Sequence, residues 1–493
     1  MNLIDKTIGY FNPKIAFERQ QYRNAINLLG GFGTEYDSTT PGAHYNIEVF
    51  DNTADDDISD IRTARATARK YYNNNGFYEG VINSATDHVI GSGLKPKSTI
   101  LETQTPTITP ERIKVIEKVL DNYFNLWSES TICDITGKDN FNRLQRLAYE
   151  SYKIDGDSFS LLPLTTIRDQ KVLQINQIDA QFIQSIEADF YQGIKTSKEK
   201  MPVQYSILQE DNTYKKVSAF KNGKRNVLHV FNRKRPKQLR GLPFLNSVTR
   251  DIVYINDLMQ YELTASKLAA IFFGSITTAA KDSAFGNNQN LLSKPGEQEQ
   301  TTQNTVKENS ITQLQPGDEL KIHTQDRDNP NFEQFIKTCL LKVSSKTRIP
   351  LEILLAQFVS SYSASRAAML QMQKFVKPER ELFVTSYCNP IRNQVLTWAI
   401  LSGQLNIPEF ATYGTKLFRA KWIGEAMGSV DPGKDIKAFK SAVDANFKTH
   451  EESTTELGFG DFDTNMQTLK EEHMKIAELN KIKGVENNAP KVK

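Results

Sequence analysis

Cysteine is scarce: three in 493 residues, Cys133, Cys339 and Cys388. An odd count without a CxxC pair argues against a disulfide framework or a zinc site, and fits a reducing cytoplasm. The six histidines are scattered, and no HxxxH or HExxH spacing occurs. There is no GxSxG nucleophile elbow. No apolar run approaches the ~18 residues a membrane helix needs, and the charged amino terminus lacks the apolar segment of a signal peptide. Charge of one sign is also missing. The formal net charge is only +3, which excludes a protein that coats nucleic acid through a strong basic field. One phosphate-loop near-miss exists, Gly428 to Asp435. It fits GxxxxGK, but Asp435 stands where a hydroxyl should hold magnesium. A loop leading into a helix from Pro432 explains it better than ATP binding. Asp155-Gly156-Asp157 reads as a turn before a strand rather than as paired catalytic carboxylates. No nucleophile, base, cofactor or metal set emerges, so an enzyme is not expected.

What is present is a long chain with enough apolar residues, 39%, for two to four domains. Residues 1–50 read as an arm. The acidic run Asp51 to Asp60 suits a solvated helix start. Arg62, Arg65 and Arg69 share one face of the helix that follows, and Asn73 to Gly76 ends it. Phe77 to Val89 is a second helix. Ile113, Ile116, Leu120 and Phe124 mark an amphipathic helix within residues 108–127, and Phe141 to Tyr152 another.

From about Asp155 to Val230 the pattern changes to short β-type runs: Ser158–Leu164, Val172–Ile178, Val203–Ile207 and Val227–Phe231. They are separated by Asp-Gly and Asn-Gly turns. Helices do not alternate with them, so small sheets are expected and a doubly wound parallel sheet is not; the class is α+β. Arg233, Lys234, Arg235, Lys237 and Arg240 then put five basic residues in eight. This is either a solvated loop or a contact for phosphates or an acidic partner.

Leu242 to Phe273 is expected as one helix roughly 45 Å long at ~1.5 Å per residue. Residues 284–308 are polar and nearly free of large apolar side chains. Phe332 to Arg348 is helical again, with Lys337, Lys342 and Lys346 away from its apolar stripe. A residue before proline leaves the helical region, so that helix should stop before Pro350. A Ser-rich loop follows, and Ser363 or Ser365 can cap a helix from Ala364. Pro378 and Pro390 then predict a bent helix, or two in series, to Gly403. Phe418 to Trp422 reads as a short strand. Asp431 onward is polar and helical.

Five stretches carry a resemblance. They are RTARATARKYYNNNGFYEGVINSATDHVIGSG (62–93), VLHVFNRKRPKQLRG (227–241), LQPGDELKIHTQDRDN (314–329), YSASRAAMLQMQKF (362–375) and WIGEAMGSVDPGKDIKA (422–438), in order over about 380 residues. Together they resemble the lambda-type portal proteins of tailed bacteriophages.

The resemblance implies a portal fold assembled as a ring, commonly a dodecamer. Residues 1–50 would be the arm, 51–240 the α/β wing, 241–273 the first stem helix and 274–328 the clip. Residues 329–350 would be the second stem helix, 351–363 the tunnel-loop region and 364–430 the kinked wing helix. Residues 431–484 would be the crown and 485–493 a disordered tail. The tunnel loop would comprise Gln357, Phe358, Val359, Ser360, Ser361, Tyr362 and Ser363. Lys337, Lys342 and Lys346 would serve as weak DNA contacts or inter-subunit pairs. The implied partners are double-stranded DNA held without sequence preference, the terminase large subunit, the major capsid protein and a head-tail connector, in a virion and without a membrane. A minor capsid or adaptor protein and a packaging ATPase are the alternatives.

Overall fold

Thr109 shows how this sequence writes its helix starts. In the computed structural model its hydroxyl accepts from the Arg112 N–H, and Pro110 occupies the first helical position, where no donor is needed. The structure describes residues 60–167, 170–221, 223–271, 275–278, 318–321, 331–358, 361–426, 432–460 and 462–487. The arm and most of the expected clip lie outside these.

Two helices open the described chain, α1 (Ile61–Asn74) and α2 (Gly76–Val89). Asn75 separates them, its side chain accepting from Tyr78 N–H to cap α2. Strand β1 (Lys95–Ser98) leads to α3 (Pro110–Glu129) and α4 (Phe141–Asp155). The expected stripe Ile113, Ile116, Leu120 and Phe124 is buried on α3. Gly156, at φ +85°, ends α4 and starts β2 (Asp157–Leu161).

The β region continues with β3 (Leu164–Ile167), β4 (Gln170–Leu173), β5 (Asn176–Ile178), β6 (Ile194–Thr196), β7 (Pro202–Leu208) and β8 (Tyr214–Ser218). The two-residue strands β9 (Phe220–Lys221) and β10 (Lys224–Arg225) precede β11 (Val227–Phe231). Every pairing between these named strands is antiparallel; among the described residues, a single parallel bridge joins Asp134 and Ile175. The two largest sheets are three-stranded, β11-β2-β5 and β6-β7-β8.

The strand expected over Val172–Ile178 is split. Gln174 turns its amide onto the Ile132 and Asp134 carbonyls, so β4 pairs with β3 while β5 pairs with β2.

Helix α5 (Thr249–Ile271) starts seven residues later than Leu242, where the apolar pattern placed it. Pro243 supplies no N–H, and Phe244 N–H is drawn to the Lys153 carbonyl at 2.9 Å, so residues 242–243 are irregular and residues 244–248 form turns instead. Two four-residue strands, β12 (Ser275–Thr278) and β13 (Asp318–Lys321), pair antiparallel. Then come α6 (Asn331–Thr347), the single turn α7 (Leu351–Leu354) and α8 (Tyr362–Phe383).

Pro378 sits inside α8 without ending it. The irregularity falls further on, at Val384–Cys388, a wide π turn in which Asn389 N–H reaches the Val384 carbonyl. Helix α9 (Asn389–Leu401) continues from it with Pro390 in its first turn. A π turn next to proline is consistent with proline's missing donor and bulky ring. The short helix α10 (Phe410–Tyr413) precedes β14 (Ala420–Ile423), which pairs antiparallel with β1. The described chain closes with α11 (Pro432–Asp444), α12 (His450–Leu457) and α13 (Phe462–Asn487). Helix α13 runs past residue 485, where a disordered tail was expected.

One apolar core joins distant parts of the sequence. Phe124 meets Phe141 edge-on at 5.7 Å and Trp422 at 6.0 Å, and Tyr387 stacks on Phe141 at 6.2 Å and on Phe383 at 5.0 Å. Aromatic pairs in such geometries add ~0.5–1.5 kcal/mol each beyond burial. Arg392 crosses this region fully buried, donating to Phe418 O, Ser98 Oγ and Asp121 Oδ1. A second, smaller core gathers Phe159, Ile183, Ile194, Tyr205, Ile207 and Val217.

Candidate functional site: the loop between two helices

The segment between α6 and α8 is held at both ends. Helix α6 stops at Thr347. Arg348 takes φ +61°, a left-handed conformation that a helix end exploits, and the Ser344 hydroxyl donates to Ile349 O at 2.7 Å. Ile349 is buried, so the break before Pro350 is packed into the core. Gln357 and Phe358 are exposed, Phe358 by 54%. Val359 and Ser360 lie outside the described residues. Ser361, Tyr362 and Ser363 are exposed.

The expected caps, Ser363 and Ser365, are corrected. Ser361 is the residue before the helix, Ser363 lies in its first turn, and Ser365 is buried. The Ser361 and Ser363 hydroxyls lie 3.1 Å apart. The start of α8 is pinned from α11. Arg366 pairs with Asp435 at 3.2 Å, and the Lys434 ammonium sits 5.1 Å over the Tyr362 ring. The Asp435 that spoils the phosphate loop thus takes part in an ion pair.

Of the three lysines on α6, Lys337 is exposed and Lys342 pairs with Asp251 of α5 at 2.9 Å. Lys346 is half-buried, and burial, with Lys234 and Arg348 nearby, lowers its pKa. Beyond Ile255, α5 leaves Met259, Tyr261 and Leu263 exposed, and α6 does the same with Phe335 and Leu341.

The basic run after β11 divides. Arg233, Lys234, Arg235 and Lys237 are exposed. Arg240 is not part of a surface patch. It is fully buried, with Nε 2.8 Å from Asp157 Oδ2 and its other nitrogens on the Ala180, Ile183 and Gln192 carbonyls.

Asp157 is the centre of a buried charge cluster that local pattern did not reveal. Its carboxylate accepts from Arg65, from Arg240, from Gly241 N–H at 2.7 Å and from His229 Nε2 at 2.9 Å. The His229 ring is sandwiched between Phe159 and Phe231, with centroids 4.2 and 4.3 Å away. Burial alone would raise the Asp157 carboxyl, yet Arg240, His229 and Arg65 hold it well below the carboxylate range. Burial lowers Arg65 to about 10 and pushes His229 below its ordinary value.

Asp155 takes Arg69 in a two-pronged pair at 2.7 and 2.5 Å, while Arg62 stays exposed. The turn between the two aspartates lets backbones touch. A Cβ on Gly241 would stand 1.9 Å from Gly156 O.

Residues 43–380 match the family model for phage portal proteins of the lambda family. The chain belongs to that family. A curated relative, Portal protein B of Escherichia phage lambda, is 21% identical over 262 residues, covering 48% of each chain. This family member thus spans about half the length of the curated relative it matches. Solved structures similar to it include the neck of a native GTA particle computed with C12 symmetry, at 11% identity and TM-score 0.41. Another is the neck of an empty GTA particle computed with C6 symmetry, at 10% and 0.44. In each case 82% of this chain and 94% of the other are covered. Among the described residues of this family member, no helix is long and apolar enough to cross a membrane, and no group of three His, Cys, Asp or Glu stands ready for a metal ion.

Proposed function

We propose that the chain is the portal subunit of a tailed-phage particle. Copies close into a ring, probed below, at one capsid vertex, and double-stranded DNA is packaged and ejected through the centre. The observation that carries this reading is the family match over residues 43–380.

The apolar side chains left uncovered on α5 and α6, Tyr261, Leu263, Phe335 and Leu341 among them, suit burial against neighbouring copies in a closed ring. The helix pair is the stem and β12–β13 the described part of the clip, which meets the terminase large subunit and later the head-tail connector. Residues 351–363 line the channel, and α11 to α13 form the crown. A ring multiplies each side chain into a belt. Hydroxyls at Ser361 and Ser363 give DNA a surface to slide on, where a belt of lysines would hold phosphates and make release salt-dependent.

Negative-stain electron microscopy of the purified full chain, with rotational averaging, tests the reading. Rings with a central hole are expected. Their absence under every assembly condition would favour an adaptor without a channel, and ATP turnover by the same preparation would favour a packaging enzyme. Replacing Ser361 and Ser363 with lysine should leave rings intact and impair packaging. Unchanged packaging removes the loop from the channel.

A further inference from the structure

Where α6 ends, five segments line an open pocket of about 250 Å³: the last turn of α4, the loop after β11, residues 242–244, residues 346–348 and α8. That exceeds many-fold the ~10–15 Å³ one water needs. Its wall carries Lys153, Lys234, Lys346 and Arg348 against a single carboxylate, Glu379.

Glu379 is already committed. Lys153 Nζ lies 2.8 Å from its Oε2, and the Tyr149 and Tyr152 hydroxyls approach the same oxygen at 3.4 Å. Lys153 itself is enclosed by aromatic rings, its ammonium 4.1 Å from the Phe244 centroid and 4.6 Å from that of Tyr152. This pair is internally satisfied and, among the described residues, leaves the other three cations without a counter-charge. Among the described residues, none of Lys234, Lys346 and Arg348 forms an ion pair. The negative end of α6 offsets only about half a charge.

Three like charges line one pocket; Lys234 and Arg348 are exposed, while Lys346 is half-buried and feels both. Such an arrangement is relieved by an anion that can accept from several donors at once. A tetrahedral oxyanion does this, taking a guanidinium on one edge and ammoniums on its remaining oxygens. The pocket also presents Asn232, a neutral donor.

We propose that this pocket binds a phosphate group, free or esterified, between Lys234, Lys346 and Arg348. Burial and the neighbouring Lys234 and Arg348 lower the pKa of Lys346, and a bound phosphate would raise it. The site lies between the end of α6 and the loop after β11, so a bound phosphate ties those two segments together.

The test is a phosphorus-31 linewidth titration of the full chain with inorganic phosphate at constant ionic strength. Saturable broadening is expected, weakened about ten-fold or more by Lys346→Gln or Arg348→Gln, since each removes a charge-assisted contact. Lys337→Gln, on the same helix outside the pocket, should change nothing. Thermal melts without phosphate establish that the variants fold. A short DNA duplex added as competitor separates the sources. Displacement of phosphate assigns the site to backbone phosphates, and failure to displace assigns it to the free ion. No saturable broadening, or equal broadening in the Lys346→Gln/Arg348→Gln double variant, overturns the proposal.

Discussion

Asp157→Asn changes one atom in shape and removes the buried carboxylate that Arg65 and Arg240 share. Arg240 and Asp157 are fully buried and Arg65 nearly so, so solvent screening cannot compensate. Removing one partner of a buried pair costs about 3–5 kcal/mol, because the charge left behind is unsolvated. At ~2.1 cal/mol/K of unfolding entropy per residue, a unit of this size moves roughly 1–2 °C per kcal/mol. The expected drop in melting temperature is therefore about 3–10 °C, read by calorimetry of the full chain. Replacing Asp157, Arg65 and Arg240 together by Leu, Met and Met should recover much of the loss, since apolar substitutes carry no desolvation penalty. A Asp157→Asn melt within a degree of the parent would refute the view that this carboxylate neutralises both arginines.

Acid should weaken the fold in two steps. Burial holds the folded-state pKa of His229 below its unfolded value of ~6.5. Its contribution is complete above pH ~6.5 and is lost as pH falls through the folded value. Asp157, held far below ~3.9, contributes above that pH and is lost only in stronger acid. In urea midpoints measured against pH, His229→Gln should flatten the first step and leave the second. A parent whose advantage over this variant grew on acidification from pH 7 would contradict the sign.

Thiol titration should count one accessible cysteine in the native chain and three in denaturant. Cys133 and Cys388 are buried, with Cys133 pushed up to about 12 by burial, while Cys339 is half-exposed on α6. Three equivalents under native conditions would mean that the core around Cys133 and Cys388 opens.

Much of the helical frame was legible because its signals are local. The α3 stripe repeats every three or four residues, and Pro350 marks the break after α6. The charge cluster was not legible. Asp157 is 92 residues from Arg65, 83 from Arg240 and 72 from His229, and each partner alone reads as an ordinary polar residue. Arg240 looked like the end of a basic surface run, although buried Leu239 beside it was a hint. The start of α5 was misplaced because Phe244 N–H bonds to Lys153 O across the fold. The residues of the candidate loop were visible as a break between helices. The pairing of Arg366 with Asp435 joins segments 69 residues apart and has no sequence signature.

The wide turn at Val384–Cys388 sets the rhythm of the longest helical run that the core depends on. Val376 and Val395 both face that core, yet at ~100° per residue the nineteen steps between them would leave a regular helix about 100° out of phase. The π turn absorbs one step, and the remaining eighteen make about five whole turns. The helix thus carries one surplus residue, stored where it does no harm to the beat on either side. Deleting a residue within 384–388 would keep the two valines in phase, whereas deleting one from Asn389 to Gln394 would swing Val395 and Leu396 away from their neighbours.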